Sequence, residues 1–219
     1  MRRVLALVAP LGLAFIPLGM ALGFLVVHAG LAWWWAPVFA GVIYAGSLEF
    51  LMVALVAGGA PVATVALTTL VVNSRHIFYA LSFPLHRVRG VAAKLYSPYA
   101  LSDEAYAVAV SPQAQGWTTR PILFMQLMFH LLWVTGAALG GLLGEVLPID
   151  RLVGLDFALT ALFIVLGIEA YRQRPARVTA VLALLCAAGA WLVVPGQMLV
   201  CAFTAFTVML LLRRRTRYA

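Results

Sequence analysis

Residues 4–48 read VLALVAPLGLAFIPLGMALGFLVVHAGLAWWWAPVFAGVIYAGSL, forty-five consecutive positions without a formal charge. A helix needs about 20 predominantly apolar residues to cross a hydrocarbon core about 30 Å thick. The stretch is therefore long enough for two crossings. Three further runs, 50–74, 121–144 and 178–212, are also uncharged. Around them, the 219-residue chain is 64% apolar and 10% charged, with a mean hydropathy of +1.03. An ordinary soluble domain is about 45–50% apolar and about 25% charged. So few charges cannot cover the surface of a soluble monomer of this size. The composition excludes that class, and disorder with it. It predicts an all-α polytopic membrane protein forming a single integral domain over 1–219.

Seven hydrophobic segments follow, giving six to seven transmembrane helices: 4–28, 33–57, 61–84, 121–144, 152–170, 178–194 and 197–212. Arg2-Arg3 before an apolar stretch imitates a signal peptide, but the apolar core exceeds the usual 7–15 residues, so a retained helix is expected. Trp33-Trp34-Trp35 fits a membrane–water interface. The run 178–212 is too long for one crossing, and Pro195-Gly196 at its middle is a turn signal. A polar segment, 85–120, joins the third and fourth hydrophobic segments. Within it, Ser102 reads as the N-cap of a short helix over 102–110, with Asp103 and Glu104 in the first turn.

The net charge of +8 fits basic cytoplasmic loops rather than nucleic-acid binding, because no soluble domain carries a basic face. With all seven segments crossing and a cytoplasmic C-terminus, eleven Lys and Arg lie inside and three outside. If one segment of the first half is re-entrant, Arg2 and Arg3 also move inside, giving thirteen to one. Thus the C-terminus is predicted to be cytoplasmic, and the side of the N-terminus stays open. The protein is placed in the plasma membrane. Cys186 and Cys201 lie in apolar segments without metal-ligand spacing, and no cofactor or metal is expected.

Two short echoes suggest paired halves, 1–84 and 121–212. Gly19-Met20-Ala21-Leu22-Gly23 resembles Gly136-Ala137-Ala138-Leu139-Gly140, and Leu70-Val71-Val72 resembles Leu192-Val193-Val194. Interrupted segments in paired halves are typical of inverted-repeat transporters.

Ionisable residues inside a membrane are costly and usually functional. Glu49 lies four residues past the midpoint of the second segment. Arg75, with His76 beside it, lies just past the midpoint of the third. On antiparallel neighbours their backbones would differ in depth by roughly 10 Å. They could bracket a zwitterionic amino acid, Arg75 holding the carboxylate and Glu49 the ammonium. They read equally as a plain ion pair within the bundle. Asn73 and Ser74 compete for backbone hydrogen bonds and mark either an unwound point or small polar contacts on a continuous helix. His76 is a candidate proton-coupling site or a packing residue. His130 and His28 have weaker claims. Gly41, Gly46 and Ser47 suit close helix packing. No GxxxxGK[ST], HExxH or GxSxG motif is present, so the chain does not read as an enzyme.

Several blocks resemble the AzlC family: Tyr44-Ala45-Gly46-Ser47-Leu48-Glu49-Phe50, the Ala57-Gly58-Gly59-Ala60 turn, Val72-Asn73-Ser74-Arg75-His76-Ile77-Phe78-Tyr79, and Leu101-Ser102-Asp103-Glu104-Ala105-Tyr106-Ala107. The order holds across 10–110. The resemblance implies the larger subunit of a two-component exporter of branched-chain amino acids, sometimes also methionine, with a small AzlD-like partner in the lipid bilayer. It brings Tyr79 into the candidate substrate set with Asn73, Ser74, Arg75 and Glu49. Glu49 stands where many relatives carry Gln, which points to a different substrate or a proton-coupled variant. An accessory scaffold subunit, or a permease served by a separate ATPase, is the alternative.

Overall fold

A computed structural model of the chain describes residues 2–147, 177–194 and 198–218, together with positions 164, 168 and 171. Asp156, Glu169 and the basic loop at Arg172 and Arg174 lie outside the described residues, as does the turn at Pro195-Gly196. Among the described residues the regular structure is helical, with no strand. The helices are α1 (Arg2–His28), α2 (Trp35–Val42), α3 (Gly46–Ala57), α4 (Val62–Asn73), α5 (Arg75–Ser82), α6 (Val91–Tyr99), α7 (Asp103–Ala109), α8 (Thr119–Val146), α9 (Arg177–Val193) and α10 (Met198–Tyr218). Single 3₁₀ turns cover Leu85–Arg87 and Pro112–Ala114.

Two described helices, Val4–His28 and Thr119–Val146, are long and apolar enough to cross a membrane. The second and third expected segments are each split. Segment 33–57 breaks between α2 and α3, where Tyr44 takes a left-handed φ of 46°. That conformation is costly for a bulky side chain and persists where surrounding structure enforces it. Segment 61–84 breaks at Ser74, which keeps helical dihedrals (φ −53°, ψ −27°). The hydrogen-bond ladder is interrupted there but not unwound.

The chain forms two compact units, one of residues 1–61 and 72–155, the other of 62–71 and 156–219. In the second unit α9 and α10 pack together, with Cys186 Sγ 3.9 Å from Met209 Sδ. Both cysteines are free thiols.

The first unit is built on α1 against α8. A Cβ added to Gly19 would lie 2.7 Å from the Trp133 carbonyl oxygen, and one added to Gly136 would lie 2.6 Å from that of Ile16. Gly23 and Gly140 are tighter still, against the carbonyl oxygens of Ala137 and Met20. The two Gly-x-x-x-Gly stretches therefore pack on each other, letting backbones approach as closely as small residues permit. Gly12 meets Phe129 and Leu132, Gly19 meets Gly136, and Gly144 meets Phe24 and Val27, so the two helices run parallel. An in-plane two-fold would make them antiparallel, so their echo is a shared packing surface.

The remaining helices find their direction from α8. Trp33 and Ala36 contact Gly141, Gly41 faces Val134, and Tyr44 lies on His130, so α2 runs antiparallel to α8. Arg89 N–H donates to Thr119 Oγ1, Ser97 pairs with Gln126, and Tyr99 packs on His130, so α6 runs parallel to α8. The two short helices approach the level of His130 from opposite ends. His130 lies eleven residues into α8, a depth of about 16 Å. After α7 the chain returns to the end it left, because Arg87 Nη1 donates to Ala114 O at 3.3 Å. The expected polar connection 85–120 is thus a re-entrant helical pair. It is tied to α8 at depth by Ser97 and Gln126, both fully buried, through bonds of 2.8 and 2.7 Å.

Arg2, Arg3, Arg87, Arg89, Lys94 and Arg120 all fall at the α8 N-terminal end of this unit. The opposite end carries His28, the three tryptophans and Glu145, and no Lys or Arg among the described residues. Trp34 and Trp35 stack there with ring centroids 4.6 Å apart.

Candidate substrate site

Three helix starts meet inside the first unit. Ser47 lies in the first turn of α3, Arg75 opens α5 and Asp103 opens α7. Arg75 Nη1 donates to Asp103 Oδ2 at 2.5 Å, and Arg75 Nη2 donates to Ser47 Oγ at 3.0 Å. Tyr79, one turn along α5, donates its hydroxyl to Asp103 Oδ1 at 2.6 Å and stacks on Tyr106. Asp103 thus holds a cation and a phenol besides lying in a first helical turn. Ser102 caps α7, its Oγ accepting from Ala105 N–H at 3.2 Å, as the sequence predicts. The carboxylate of Asp103 is not consumed by capping.

His76 links the two breaks. Its Nδ1 lies 3.2 Å from Asn73 O and its Nε2 3.1 Å from Leu101 O. A neutral ring donates one of these bonds and a doubly protonated ring donates both. Asn73 and Ser74 form the α4–α5 junction, with Ser74 at the break itself. Asn73 Oδ1 and Arg75 Nε are buried and make no hydrogen bond among the described residues.

Glu49 lies elsewhere in the network. It is 0% exposed. Its Oε1 accepts from Ala45 N–H at 2.7 Å, capping the start of α3. Trp133 Nε1 donates to the same carboxylate at 2.9 and 3.2 Å. The expected Glu49–Arg75 pair does not form: Arg75 turns to Asp103, which shares its level, while Glu49 is drawn to α8. Ser47, two residues from Glu49, still touches Arg75, so one helix start serves both. Glu104 lies near Arg75, Asp103 and Ser102.

An aromatic group surrounds His130. Tyr44, Tyr99 and Tyr96 have ring centroids 4.3, 5.7 and 6.2 Å from its ring, and the Tyr96 hydroxyl lies 3.2 Å from Nδ1. Tyr99 donates its hydroxyl to Gly41 O, joining the tip of α6 to that of α2. Sequence reading missed Trp133, Gln126, Ser97, Tyr96 and Tyr99. Trp133 and Gln126 were polar-capable groups in an apolar run, which was the available signal. Among the described residues no group of three or more His, Cys, Asp or Glu side chains could hold a metal ion.

A family model described as AzlC protein matches residues 10–147. The branched-chain amino acid transport protein AzlC of Bacillus subtilis is 34% identical over 170 residues, covering 75% of this chain and 65% of that protein. An uncharacterized membrane protein of Haemophilus influenzae is 35% identical, covering 73% of this chain and 66% of its own length. The inner membrane protein YgaZ of Escherichia coli is 25% identical over 75% of this chain and 71% of its own. The chain spans about two thirds of the length of the first two relatives. No solved structure matches.

Proposed function

The chain belongs to the AzlC family, and from that premise we propose that it is the larger subunit of a membrane exporter of branched-chain amino acids, driven by an ion gradient and working with a small AzlD-like partner. The observation that carries the reading is the orphaned pair at the α4–α5 break. Asn73 Oδ1 is an acceptor and Arg75 Nε a donor, two residues apart, both buried and without a hydrogen-bond partner among the described residues. Buried polar atoms are nearly always paired, since leaving one unpaired costs about 1–3 kcal/mol. A zwitterionic amino acid supplies both partners: its carboxylate accepts from Arg75 Nε and its ammonium donates to Asn73 Oδ1. The ammonium role first given to Glu49 passes to Asn73, because the Glu49 carboxylate is already engaged. Tyr79 and Asp103 hold the guanidinium in place, and His76 holds the break at which Asn73 and Ser74 lie.

Such a site needs backbone breaks at membrane depth, and these are tolerated where protein lines them. The basic end of the first unit is the cytoplasmic one by the positive-inside rule. Under that rule the N-terminus lies inside.

The test is efflux of labelled leucine or valine from loaded proteoliposomes, with and without the small partner. The reading expects gradient-dependent efflux, lost in Arg75→Ala and weakened in Asn73→Leu. No flux in either preparation refutes the transporter reading for these substrates. A strict ATP requirement refutes the gradient-driven form.

A further inference from the structure

The two breaks that meet at His130 carry similar sequences, alike at four of six positions. Tyr44-Ala45-Gly46-Ser47-Leu48-Glu49 and Tyr99-Ala100-Leu101-Ser102-Asp103-Glu104 agree at Tyr, Ala, Ser and Glu, and agreement resumes at Val53-Ala54 and Val108-Ala109. Matches of Ala and Val are cheap in such a chain, so the weight falls on Tyr, Ser and Glu. Their structural register is also shared. In each copy the Tyr closes or follows a short helix, of eight residues in α2 and nine in α6. In each copy the Glu falls in the first turn of the next helix. The copies run in opposite directions along α8, as shown by Ala36, Gly41 and Tyr44 against Gly141, Val134 and His130, and by Arg89, Ser97 and Tyr99 against Thr119, Gln126 and His130. An in-plane two-fold axis produces that relation. Contacts at the meeting point are reciprocal: Tyr99 lies within electrostatic reach of Glu49, and Tyr44 within reach of Glu104. The two rings are 6.4 Å apart.

The copies differ in state. Glu49 is sealed, while Glu104 is partly exposed on the helix that returns to the basic end. Groups facing Glu49 are Ala45 N–H, the Trp133 indole of α8, Tyr44 and, from α6, Tyr99. Groups facing Glu104 are Ser102, Asp103, Arg75 of α5, Tyr79 of α5 and Tyr44. Arg75 is paired with Asp103. Among the described residues, each copy therefore contributes one carboxylate without an ion pair, Glu104 having Arg75 only at longer range. The Tyr44 hydroxyl between them is buried, lies beside Ser102 and makes no hydrogen bond of normal geometry among the described residues.

Intramembrane carboxylates of this kind serve proton relays. Inverted copies move by exchanging conformations about a fixed site. We infer that residues 36–54 and 91–109 are inverted copies of one broken helix, and that Glu49 and Glu104 are paired proton-coupling carboxylates, one per copy. The inference rests on the transport reading above. Each carboxylate takes up one proton while its copy is open, becoming a neutral acid, and releases that proton when its copy opens to the other side. No other bond changes. In the structure Glu104 is partly exposed and Glu49 is fully buried, so the two copies differ in access.

The full chain in proteoliposomes, with its small partner, is assayed in two modes: leucine efflux driven by an imposed pH gradient, and leucine–leucine exchange at equal pH. Glu49→Gln and Glu104→Gln should lose the first mode and keep the second. Glu104→Asp should keep both, which separates loss of the proton from failure to fold. His76→Gln, which loosens the α4–α5 break and lowers flux in both modes, should leave the remaining efflux dependent on the pH gradient. Gradient-driven efflux surviving in either Gln variant overturns the inference, as does loss of exchange in both. So does gradient dependence that vanishes only with His76. Wild-type exchange without any response to pH refutes this inference and leaves the transport reading intact. Absence of both modes in wild type refutes the transport reading and the inference with it.

Discussion

Gly19→Ala places a methyl group between two backbones that have no room for it. The new Cβ would lie 2.7 Å from Trp133 O and 2.9 Å from Ala137 N, where ordinary contact begins at 3.4 Å. The shortfall is about 0.5–0.7 Å, and it falls on backbone atoms of α8, so no rotamer change relieves it. Overpacking of this kind costs about 1–3 kcal/mol, and rigid neighbours place Gly19 near the upper end. Alanine returns about 0.5–1 kcal/mol of helix preference. The net expectation is a loss of about 2 kcal/mol, roughly thirtyfold in the unfolding equilibrium at about 1.4 kcal/mol per decade. Gly136→Ala, 2.6 Å from Ile16 O, should behave alike. Gly41→Ala, with its nearest neighbour at 3.8 Å, and Gly189→Ala, with nothing within 4 Å, are the controls and should be neutral or slightly stabilising. Reversible unfolding in mixed micelles, followed by far-UV circular dichroism, reads all four. Equal stability of Gly19→Ala and wild type, or equal loss in Gly41→Ala, would refute the parallel α1–α8 contact as described.

Trp133→Phe removes the indole donor from Glu49 and leaves a buried carboxylate with one backbone partner. A loss of about 1–3 kcal/mol in the same unfolding assay is expected, and Glu49→Gln in that background should recover part of it. Arg75→Lys keeps the charge but cannot serve Asp103 and Ser47 together or supply the Nε donor. Leucine efflux should fall far more than thermal stability, and unchanged efflux would argue against Arg75 as the carboxylate holder. Ser97→Ala with Gln126→Leu should show a coupling of about 0.5–3 kcal/mol in a double-mutant cycle, because each residue donates to the other at 2.8 and 2.7 Å. Additive effects would mean that the re-entrant pair is held elsewhere.

The membrane class was legible in residues 4–48, since scarcity of charge is a property of composition. The helix over 119–146 was legible for the same reason. The depth of α6 and α7 was not. Lys94, Asp103, Glu104 and several tyrosines made 85–120 read as a polar connection with one short helix, because hydropathy averages over both faces of a helix. At this site the polar groups face one another, Asp103 taking Arg75 and Tyr79, and Ser97 taking Gln126. Val91 and Leu95, also on α6, are apolar and exposed. Arg75 and Glu49 were singled out from the sequence, yet the partners they take in the structure, Asp103 and Trp133, were not assigned to them. A spacing rule finds partners on one helix, and both partners here come from other helices.

Asp103 shows why the site lies at breaks rather than on a continuous span. A helix interior offers no free N–H groups, whereas each helix start leaves four unsatisfied and carries a partial positive charge. The starts of α3, α5 and α7 converge, and Arg75 adds a full charge to them. Without an anion that arrangement would repel itself in a medium that screens poorly. Asp103 is the anion that allows the starts to meet, with Glu49 answering the start of α3 one turn away. A transported carboxylate must therefore share or displace Asp103 at Arg75. Asp103→Asn is accordingly a more informative substitution than Asp103→Ala, since it keeps the Tyr79 contact and removes only the competing charge. Leucine should then bind more tightly in an equilibrium assay, while turnover falls because release is slowed. Weaker binding in Asp103→Asn would mean that Asp103 positions Arg75 and does not compete with substrate for it.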